Sequence, residues 1–150
     1  MFRGLSSLNL DPKGRMALPT KCRDALKATG NLIVTIDPEQ RCLLLYPFTE
    51  WQVIENKIAG FPSFNAAARR IQRLLVGHAT ELELDNNGRI LLPAVLRDYA
   101  LLDKKVMLLG QGNRFEIWGE KHWLSCREQW LAEPMQTSSD LPPELQSFSL

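Results

Sequence analysis

The ten residues LDPKGRMALP, from Leu10 to Pro19, return as LDNNGRILLP, from Leu84 to Pro93, in a chain of 150 residues. Aligned over 8–26 and 82–100, the two segments are identical at nine of nineteen positions. These identities are Leu8/Leu82, Leu10/Leu84, Asp11/Asp85, Gly14/Gly88, Arg15/Arg89, Leu18/Leu92, Pro19/Pro93, Arg23/Arg97 and Asp24/Asp98. We infer a duplication, and a repeat of this kind has to be settled before any other question of fold.

Each copy carries a turn with a physical mechanism, DPKG at 11–14 and DNNG at 85–88. The aspartate side chain accepts from backbone N–H groups two or three residues on, and the glycine tolerates a positive φ. Asp11 and Asp85 are therefore predicted to shape the loops. The alternating residues before each turn predict a half-buried strand, and RMAL or RILL after it predicts a second strand. We expect each copy to open with a β-hairpin.

The similarity continues at lower strength after these turns, since RCLLLYPFTEW (41–51) parallels RFEIWGEKHW (114–123). NLIVTID and RCLLLYP in the first copy, and KVMLLGQ and RFEIWG in the second, predict further strands. FTEWQVIENKI and FNAAARRIQRLLV between the copies predict two helices, and EKHWLSCREQWL predicts another. In the first of these helices, Thr49 and Gln52 match a capping box, with Phe48 and Val53 as a hydrophobic staple.

The expected fold is mainly β with helices, in the α+β class. Four short strands alone leave unpaired edges, so we expect the halves to pack about a pseudo-twofold axis into one β-barrel. The predicted organisation is a first half at 5–47, connecting helices at 48–76, a second half at 77–120, and a C-terminal helix with a loosely ordered tail at 121–150.

Composition excludes several classes of protein. Hydrophobic residues make up 45% and charged residues 23%, with a net charge of +1, which is an ordinary globular balance. No segment approaches the roughly 20 apolar residues of a membrane span, and the N-terminus lacks a signal-peptide run. We therefore expect a cytoplasmic protein that does not bind membranes. Cys22, Cys42 and Cys126 form no CxxC pair, so neither disulfides nor a zinc site is predicted.

Each copy consists of a strand, the motif D-x-x-G-R, a second strand and a proline. This repeated order resembles the AbrB-type DNA-binding half-barrel. The whole chain resembles the MraZ family. The resemblance rests on the two motifs together with MFRG at 1–4, CLLLYP at 42–47 and RRIQRLLVGHATELELD at 69–85. These are transcriptional regulators encoded at the head of the bacterial division and cell-wall gene cluster. The resemblance implies swapped-hairpin barrels that assemble as homo-oligomeric rings in the nucleoid. It also implies binding to repeated boxes of double-stranded DNA in the promoter of the protein's own operon, usually with repression. No cofactor or metal is expected.

The resemblance carries residue roles onto matching positions. The motif positions are Asp11, Gly14 and Arg15 in the first copy and Asp85, Gly88 and Arg89 in the second. Arg15 and Arg89 are implied to face DNA, and Gly14 and Gly88 are implied to belong to the same DNA-binding surface, mainly by shaping the loops. Arg3, in MFRG, lies near the first hairpin in sequence and is added to the candidate surface, as is Lys13 at the tip of the first turn.

Two interpretations of Arg15 and Arg89 are equally weighted on the residues alone. Each arginine pairs with the aspartate four positions earlier, where an exposed pair contributes ~0–1 kcal/mol. Alternatively, each contacts phosphate or reads guanine, where a bidentate contact discriminates by roughly 1–3 kcal/mol. The family resemblance favours DNA.

The two copies differ in charge. Residues 1–27 carry six basic and two acidic residues, whereas residues 82–105 carry four of each. Lys13 in the first loop corresponds to Asn87 in the second. We therefore predict that the first loop provides more of the affinity for phosphates.

Other polar residues receive ordinary interpretations. Arg69, Arg70 and Arg73 are predicted to form a solvated helix face or a subunit contact in preference to a DNA contact. Trp51, Trp118, Trp123 and Trp130 lie in apolar-periodic segments and are predicted to be core residues. His78 and His122 have no partners at metal-ligand spacing.

Two other functions remain open. A small hydrolase would use Asp11 and Asp85 as an acid–base pair, but the chain has no nucleophile–base motif, phosphate-binding glycine loop or HExxH, and turn formation already explains both aspartates. A structural ring protein that binds no nucleic acid is compatible with the near-neutral charge. A steep decrease of DNA affinity with salt separates the regulator from that alternative.

Overall fold

The structure is a computed structural model and describes residues 1–28, 30–134 and 141–150. Its strands are β1 (Leu5–Asn9), β2 (Arg15–Ala17), β3 (Leu32–Ile36), β4 (Leu43–Pro47), β5 (Thr80–Leu82), β6 (Arg89–Leu91), β7 (Lys105–Gly110) and β8 (Phe115–Gly119). Its helices are α1 (Thr20–Lys27), α2 (Phe48–Ala59), α3 (Ala66–Ile71), α4 (Ala94–Tyr99), α5 (Glu120–Ala132) and α6 (Pro143–Gln146). A π-helical turn over Gln72–Val76 continues α3. The α+β class is confirmed. Part of the tail predicted to be loosely ordered, 135–140, lies outside the described residues.

Proline sets the start of several helices. Pro19, Pro47 and Pro93 precede α1, α2 and α4 with φ near −60° and extended ψ, and none of the three provides a side-chain cap. The predicted capping box at Thr49 is therefore wrong, because α2 begins at Phe48 and Thr49 lies inside its first turn. The proline ring fixes φ at a value suited to the start of a helix, so these helices begin without a capping hydroxyl.

The strands form one six-stranded antiparallel sheet, in the order β1-β7-β8-β4-β3-β5, and one two-stranded ribbon, β2-β6. The strands β1, β7 and β8 are equivalent to β5, β3 and β4 of the other end. The order of the sheet is therefore the same read from either end. The pseudo-twofold relationship is therefore present in the strand pairing. Closure into a barrel stays a prediction, because β1 and β5 are the end strands of the six-stranded order.

The first strand of each half pairs with the other half. β1 pairs with β7, with Leu8 opposite Val106, and β5 pairs with β3, with Leu82 opposite Leu32. The ribbon also joins the copies, because β2 belongs to the first and β6 to the second. The two halves are thus interlocked, as the resemblance to swapped-hairpin proteins implied.

This exchange corrects the expectation of a local hairpin in each copy. The turn itself is present, with the Gly14 N–H donating to the Asp11 carbonyl at 3.0 Å and a single bridge from Leu10 to Met16. Beyond that bridge the two strands take different partners, β7 for β1 and β6 for β2. An isolated two-stranded hairpin is only marginally stable, whereas the exchange places both strands in larger buried structures.

The core lies between the ribbon, α1, α4 and the larger sheet. Its main cluster includes Met16, Leu18, Leu26, Leu32, Val34, Ile36, Leu43, Leu45, Ile90, Leu92, Leu96, Val106, Leu108 and Ile117. Equivalent residues of the two copies contribute to it, so neither copy has a complete core alone. Among the described residues, no helix is both long enough and apolar enough to cross a bilayer.

The tryptophans fall into two smaller clusters. Trp51 packs with Tyr46, while Trp118 packs edge-on against Trp123 and Trp130, with ring centroids 5.5 and 5.8 Å away. Trp51 and Trp118 are buried, as predicted, but Trp130 is 42% exposed at the edge of its cluster.

Candidate nucleic-acid interface

Asp11 organises the first loop through three hydrogen bonds. Its Oδ1 accepts from the backbone N–H of Lys13 at 3.0 Å and from that of Arg15 at 2.8 Å. Its Oδ2 accepts from Nε of Arg15 at 2.7 Å. One carboxylate therefore closes the turn and orients the arginine side chain at the same time.

Asp85 repeats this geometry in the second loop. Its Oδ1 accepts from the N–H of Asn87 at 2.8 Å and of Arg89 at 2.9 Å, and its Oδ2 accepts from Nε of Arg89 at 2.9 Å. The two loops agree even though Pro12 and Lys13 are replaced by Asn86 and Asn87. The aspartate, glycine and arginine of the motif are the residues that the two loops share with this geometry.

The two aspartates are held as carboxylates. The backbone N–H of Arg15 is the largest cause that keeps the pKa of Asp11 below its ordinary value; partial desolvation opposes it and the guanidinium adds to it. The backbone N–H of Arg89 acts in the same way on the pKa of Asp85. A lowered pKa is unsuited to a general acid at neutral pH, so this geometry disfavours the hydrolase alternative.

The ion pair leaves the outer edge of each guanidinium available. The side chains of Arg15 and Arg89 are 33% and 31% exposed. Nε donates to the aspartate in each case, and among the described residues the terminal nitrogens donate no hydrogen bond. The two interpretations of these arginines are therefore compatible: the aspartate holds the side chain through Nε, and the terminal nitrogens can donate to a ligand as a fork.

Both arginines lie on the outer face of the ribbon. The register places Arg15 opposite Leu91, Met16 opposite Ile90, and Ala17 opposite Arg89. Directly opposed residues share a face, and the buried Met16 and Ile90 define the inner one. Arg15 and Arg89 therefore lie diagonally on the outer face, together with Ala17 and the 54% exposed Leu91. Their Cα atoms are offset by about 7 Å along the strands.

The two motif glycines lie beneath the loops and are buried. Gly14 has φ +91° and Gly88 has φ +70°, values that side-chain-bearing residues rarely adopt. The Gly14 carbonyl accepts from the N–H of Leu92 at 2.8 Å, and the Gly88 carbonyl accepts from that of Leu18 at 3.0 Å. Each glycine therefore connects its loop to the other copy, and its contribution to DNA binding stays a prediction.

Lys13 and Arg3 lie in different places. Lys13 is exposed at the tip of the first loop. Arg3 packs its backbone against Gly110, at the end of β1 that is opposite to the loop. The intervening strand puts on the order of 20 Å between them. The structure brings Lys13 to the ribbon but not Arg3, so a DNA contact by Arg3 needs a larger surface than the ribbon.

The exchanged strands change the charge around the loops. Lys104 and Lys105, from the second copy, lie beside the first loop: Leu10 donates to the Lys104 carbonyl at 2.9 Å, and Lys105 Nζ donates to Asn9 at 2.7 Å. At the equivalent position beside the second loop, Asn31 donates to Glu81 at 2.6 Å. The two lysines therefore belong to the second copy in sequence but add their charge to the first loop in the structure.

Other charged groups are placed away from the ribbon. Arg69, Arg70 and Arg73 are exposed on α3 and its π-helical continuation. Asp37, Cys42 and Glu116 have ligand atoms within 4.8 Å of one another. Protein groups already contact this cluster, because Trp118 donates to Glu116 at 3.0 Å and Arg114 lies 3.9 Å from it. A neighbouring guanidinium is unfavourable for a bound cation.

Residues 1–74 and 75–140 each match the family described as "MraZ protein, putative antitoxin-like". The two matched segments contain one D-x-x-G-R loop each. The chain belongs to the MraZ family. Over its full length it is 57% identical to the "Transcriptional regulator MraZ" of Legionella pneumophila (strain Corby) and 55% identical to that of Coxiella burnetii (strain RSA 493 / Nine Mile phase I). It is 49% identical to the MraZ of Halorhodospira halophila (strain DSM 244 / SL1), and all three comparisons cover 100% of both chains.

Membership in the MraZ family confirms the resemblance inferred from the repeated motif. It does not assign roles to individual side chains. Arg23 and Arg97 are two residues that sequence reasoning left without a role, although they are identical in the two copies. That identity, four positions after the proline in each copy, was the signal available in the sequence.

Proposed function

We propose that this protein is a sequence-specific DNA-binding transcriptional regulator and that the outer face of the β2–β6 ribbon contacts double-stranded DNA. One observation carries the proposal: Arg15 and Arg89, each held by an aspartate through Nε, lie on the same exposed face. The names of the full-length relatives support a role in transcription.

The ribbon has dimensions suited to DNA. A two-stranded ribbon fits the major groove, which is about 12 Å wide. In that position the terminal nitrogens of Arg15 and Arg89 donate either to phosphate oxygens or to O6 and N7 of guanine. Leu91, opposite Arg15, and Ala17, opposite Arg89, offer apolar contact to thymine methyl groups. The aspartates restrict the guanidinium geometry, so base reading does not depend on a freely rotating side chain.

Assembly complements the small surface of one subunit. The net charge is only +1, so a single chain has limited attraction for a polyanion. In our proposal the protein forms a homo-oligomeric ring whose ribbons bind repeated boxes in the promoter of its own division and cell-wall operon and repress it. Several modest contacts on one particle raise affinity through effective concentration.

The test is fluorescence-anisotropy binding to the DNA upstream of the protein's own gene, with a shuffled duplex of equal length. Wild type is compared with Arg15→Ala and Arg89→Ala, and with Arg70→Ala as a matched loss of one exposed arginine away from the ribbon. We expect each ribbon variant to weaken specific binding by about 5–150-fold, the equivalent of one bidentate base contact. If both duplexes bind equally and the folded variants behave like wild type, the proposal is wrong and the structural-ring alternative is favoured.

A further inference from the structure

Arg23, on α1 of the first copy, contacts the loop of the second copy. Its Nε donates to the Leu18 carbonyl at 2.6 Å. The N–H of the same Leu18 donates to the Gly88 carbonyl at 3.0 Å. The side chain of Arg23 also covers the Cα of Gly88, since a Cβ built there would lie 2.5 Å from Cδ and Cζ of the arginine. Arg23 therefore contacts both partners of the Leu18–Gly88 hydrogen bond, and so joins Leu18 to the second loop.

Arg97, on α4 of the second copy, makes the same contacts with the loop of the first. Its Nε donates to the Leu92 carbonyl at 3.0 Å, and Leu92 donates to the Gly14 carbonyl at 2.8 Å. A Cβ on Gly14 would lie 2.7 Å from Nε and 2.8 Å from Cζ of Arg97. The arrangement is reciprocal, and its recurrence in both halves argues against an accident of packing.

We propose that Arg23 and Arg97 are positioning residues that act across the repeat. Arg23 holds the loop that presents Arg89, and Arg97 holds the loop that presents Arg15. Each DNA-facing arginine is therefore positioned by a helix of the opposite copy, in addition to its own aspartate. The inference rests on the proposed function, because positioning has meaning only if Arg15 and Arg89 bind a ligand.

The contacts of Arg23 and Arg97 favour the positioning role over a direct phosphate contact. Both arginines are half-buried, and each donates Nε to a backbone carbonyl instead of a surface carboxylate. The glycine has to lack a side chain for the arginine to lie against its Cα. A direct DNA contact would require neither the glycine nor the leucine carbonyl, and removal of the arginine would then reduce affinity independently of the loop.

A crossed set of double variants tests the proposal. DNA affinity is measured for Arg23→Ala in wild type, in Arg89→Ala and in Arg15→Ala. We expect Arg23→Ala to weaken binding by about tenfold in wild type and in Arg15→Ala, but by less than about twofold in Arg89→Ala, because coupling is restricted to residues that act through one another. Arg97→Ala should show the opposite preference and lose its effect in Arg15→Ala. Equal losses in both backgrounds, with a salt slope reduced by about 0.9, would show a direct phosphate contact and overturn the proposal.

Hydrogen exchange provides a readout without DNA, so a failure of the proposed function can be recognised separately. In Arg23→Ala we expect the amides of Asn87, Gly88 and Arg89 to exchange at least about tenfold faster, with those of Lys13, Gly14 and Arg15 changed less than about twofold. In Arg97→Ala we expect the opposite result: the amides of Lys13, Gly14 and Arg15 exchange faster, and those of Asn87, Gly88 and Arg89 change little. A uniform increase in both loops would indicate general destabilisation and overturn the proposal, whatever the DNA result.

Two further variants guard against unfolding and loss of charge. Arg23→Lys keeps the charge but lacks the planar Nε that bonds to Leu18, so we expect the same crossed pattern in a protein that retains its side-chain volume. Lys21→Ala removes one exposed charge from the same helix and should leave exchange of the Gly88 amide unchanged. If Arg23→Lys behaves like wild type in both measurements, charge alone accounts for Arg23 and the positioning role is wrong.

Discussion

Asp85 binds Arg89 at both the main chain and the side chain, accepting from its N–H and from its Nε at 2.9 Å each. Replacing the carboxylate by an amide in Asp85→Asn puts a donor opposite a donor and releases the guanidinium. We expect binding to the operon's own upstream DNA to weaken about tenfold relative to a shuffled duplex, because an unrestrained arginine discriminates bases less well.

Asp85→Asn also removes a negative charge, which by itself should strengthen binding to DNA. A separate variant controls for this effect. Glu83→Gln removes an exposed carboxylate two positions earlier without disturbing the loop, and should leave the ratio of specific to shuffled binding unchanged. Both variants are measured by anisotropy at a common salt concentration. A similar change of this ratio in the two variants would show that charge, and not orientation, determines the effect.

The aspartates also predict an acid dependence of stability. Hydrogen bonds from Arg15 and Arg89 lower the pKa of Asp11 and Asp85 in the folded protein relative to the unfolded chain. The stabilisation is therefore complete above the unfolded pKa and is lost as pH falls below about 4 and through the folded pKa. Urea unfolding between pH 6 and pH 2.5 measures it, and the double variant Asp11→Asn/Asp85→Asn should show a shallower decrease than wild type. Parallel curves would contradict the prediction.

Gly88→Ala should destabilise the fold for two separable reasons. Its φ of +70° costs an L-residue about 1–3 kcal/mol, and the new Cβ displaces Arg23 from Leu18, which costs about 1 kcal/mol more. Gly112→Ala is the matched control, because Gly112 has φ +80° with nothing within 4 Å of a Cβ. The free energy of unfolding, from denaturant titration, should fall further in Gly88→Ala.

The same contact gives a rescue test. In an Arg23→Ala background, the Cβ of Gly88→Ala meets no guanidinium, so its cost should decrease to that of Gly112→Ala. An unchanged difference between the two glycine variants would mean that Arg23 does not contribute to the requirement for glycine.

The first loop should provide more of the electrostatic affinity than the second. Lys13 is exposed at its tip, and the exchanged strand adds Lys104 and Lys105 beside it. We expect Lys13→Ala to lower the salt dependence of binding by about 0.9 log unit per log unit of salt, the value for one phosphate contact. Asn87→Ala, at the equivalent tip, should leave that slope unchanged. The prediction is wrong if Asn87→Ala reduces the slope and Lys13→Ala does not.

Much of the architecture was accessible from the duplicated motif. The D-x-x-G-R pattern contains the turn chemistry itself: an aspartate that accepts from two N–H groups and a glycine with positive φ. Alternation and apolar runs located the strands, because they report which residues are buried. These features depend on neighbours along the chain, which is why a sequence displays them.

Strand partners were not accessible in the same way. Leu8 pairs with Val106 and Leu82 with Leu32, and no local pattern encodes a partner so far along the chain. The predicted local hairpins were wrong for this reason. The same limit concealed Arg23 and Arg97, whose contacts lie in the opposite copy, and it concealed the lysines that the exchange brings to the first loop. The side-chain roles of Arg15, Arg89 and Arg3 at DNA stay predictions.

The exchange of first strands also determines when the protein can become native during its synthesis. β1 leaves the ribosome well before its partner, Lys105–Gly110, which is made about a hundred residues later. An N-terminal half that has just emerged therefore exposes an unpaired edge and an incomplete core. Such a half has the same pairing surfaces as its later counterpart, so two nascent chains on one message can exchange strands with each other. Fusion of the two copies into one polypeptide keeps the correct partner tethered and favours pairing within the chain.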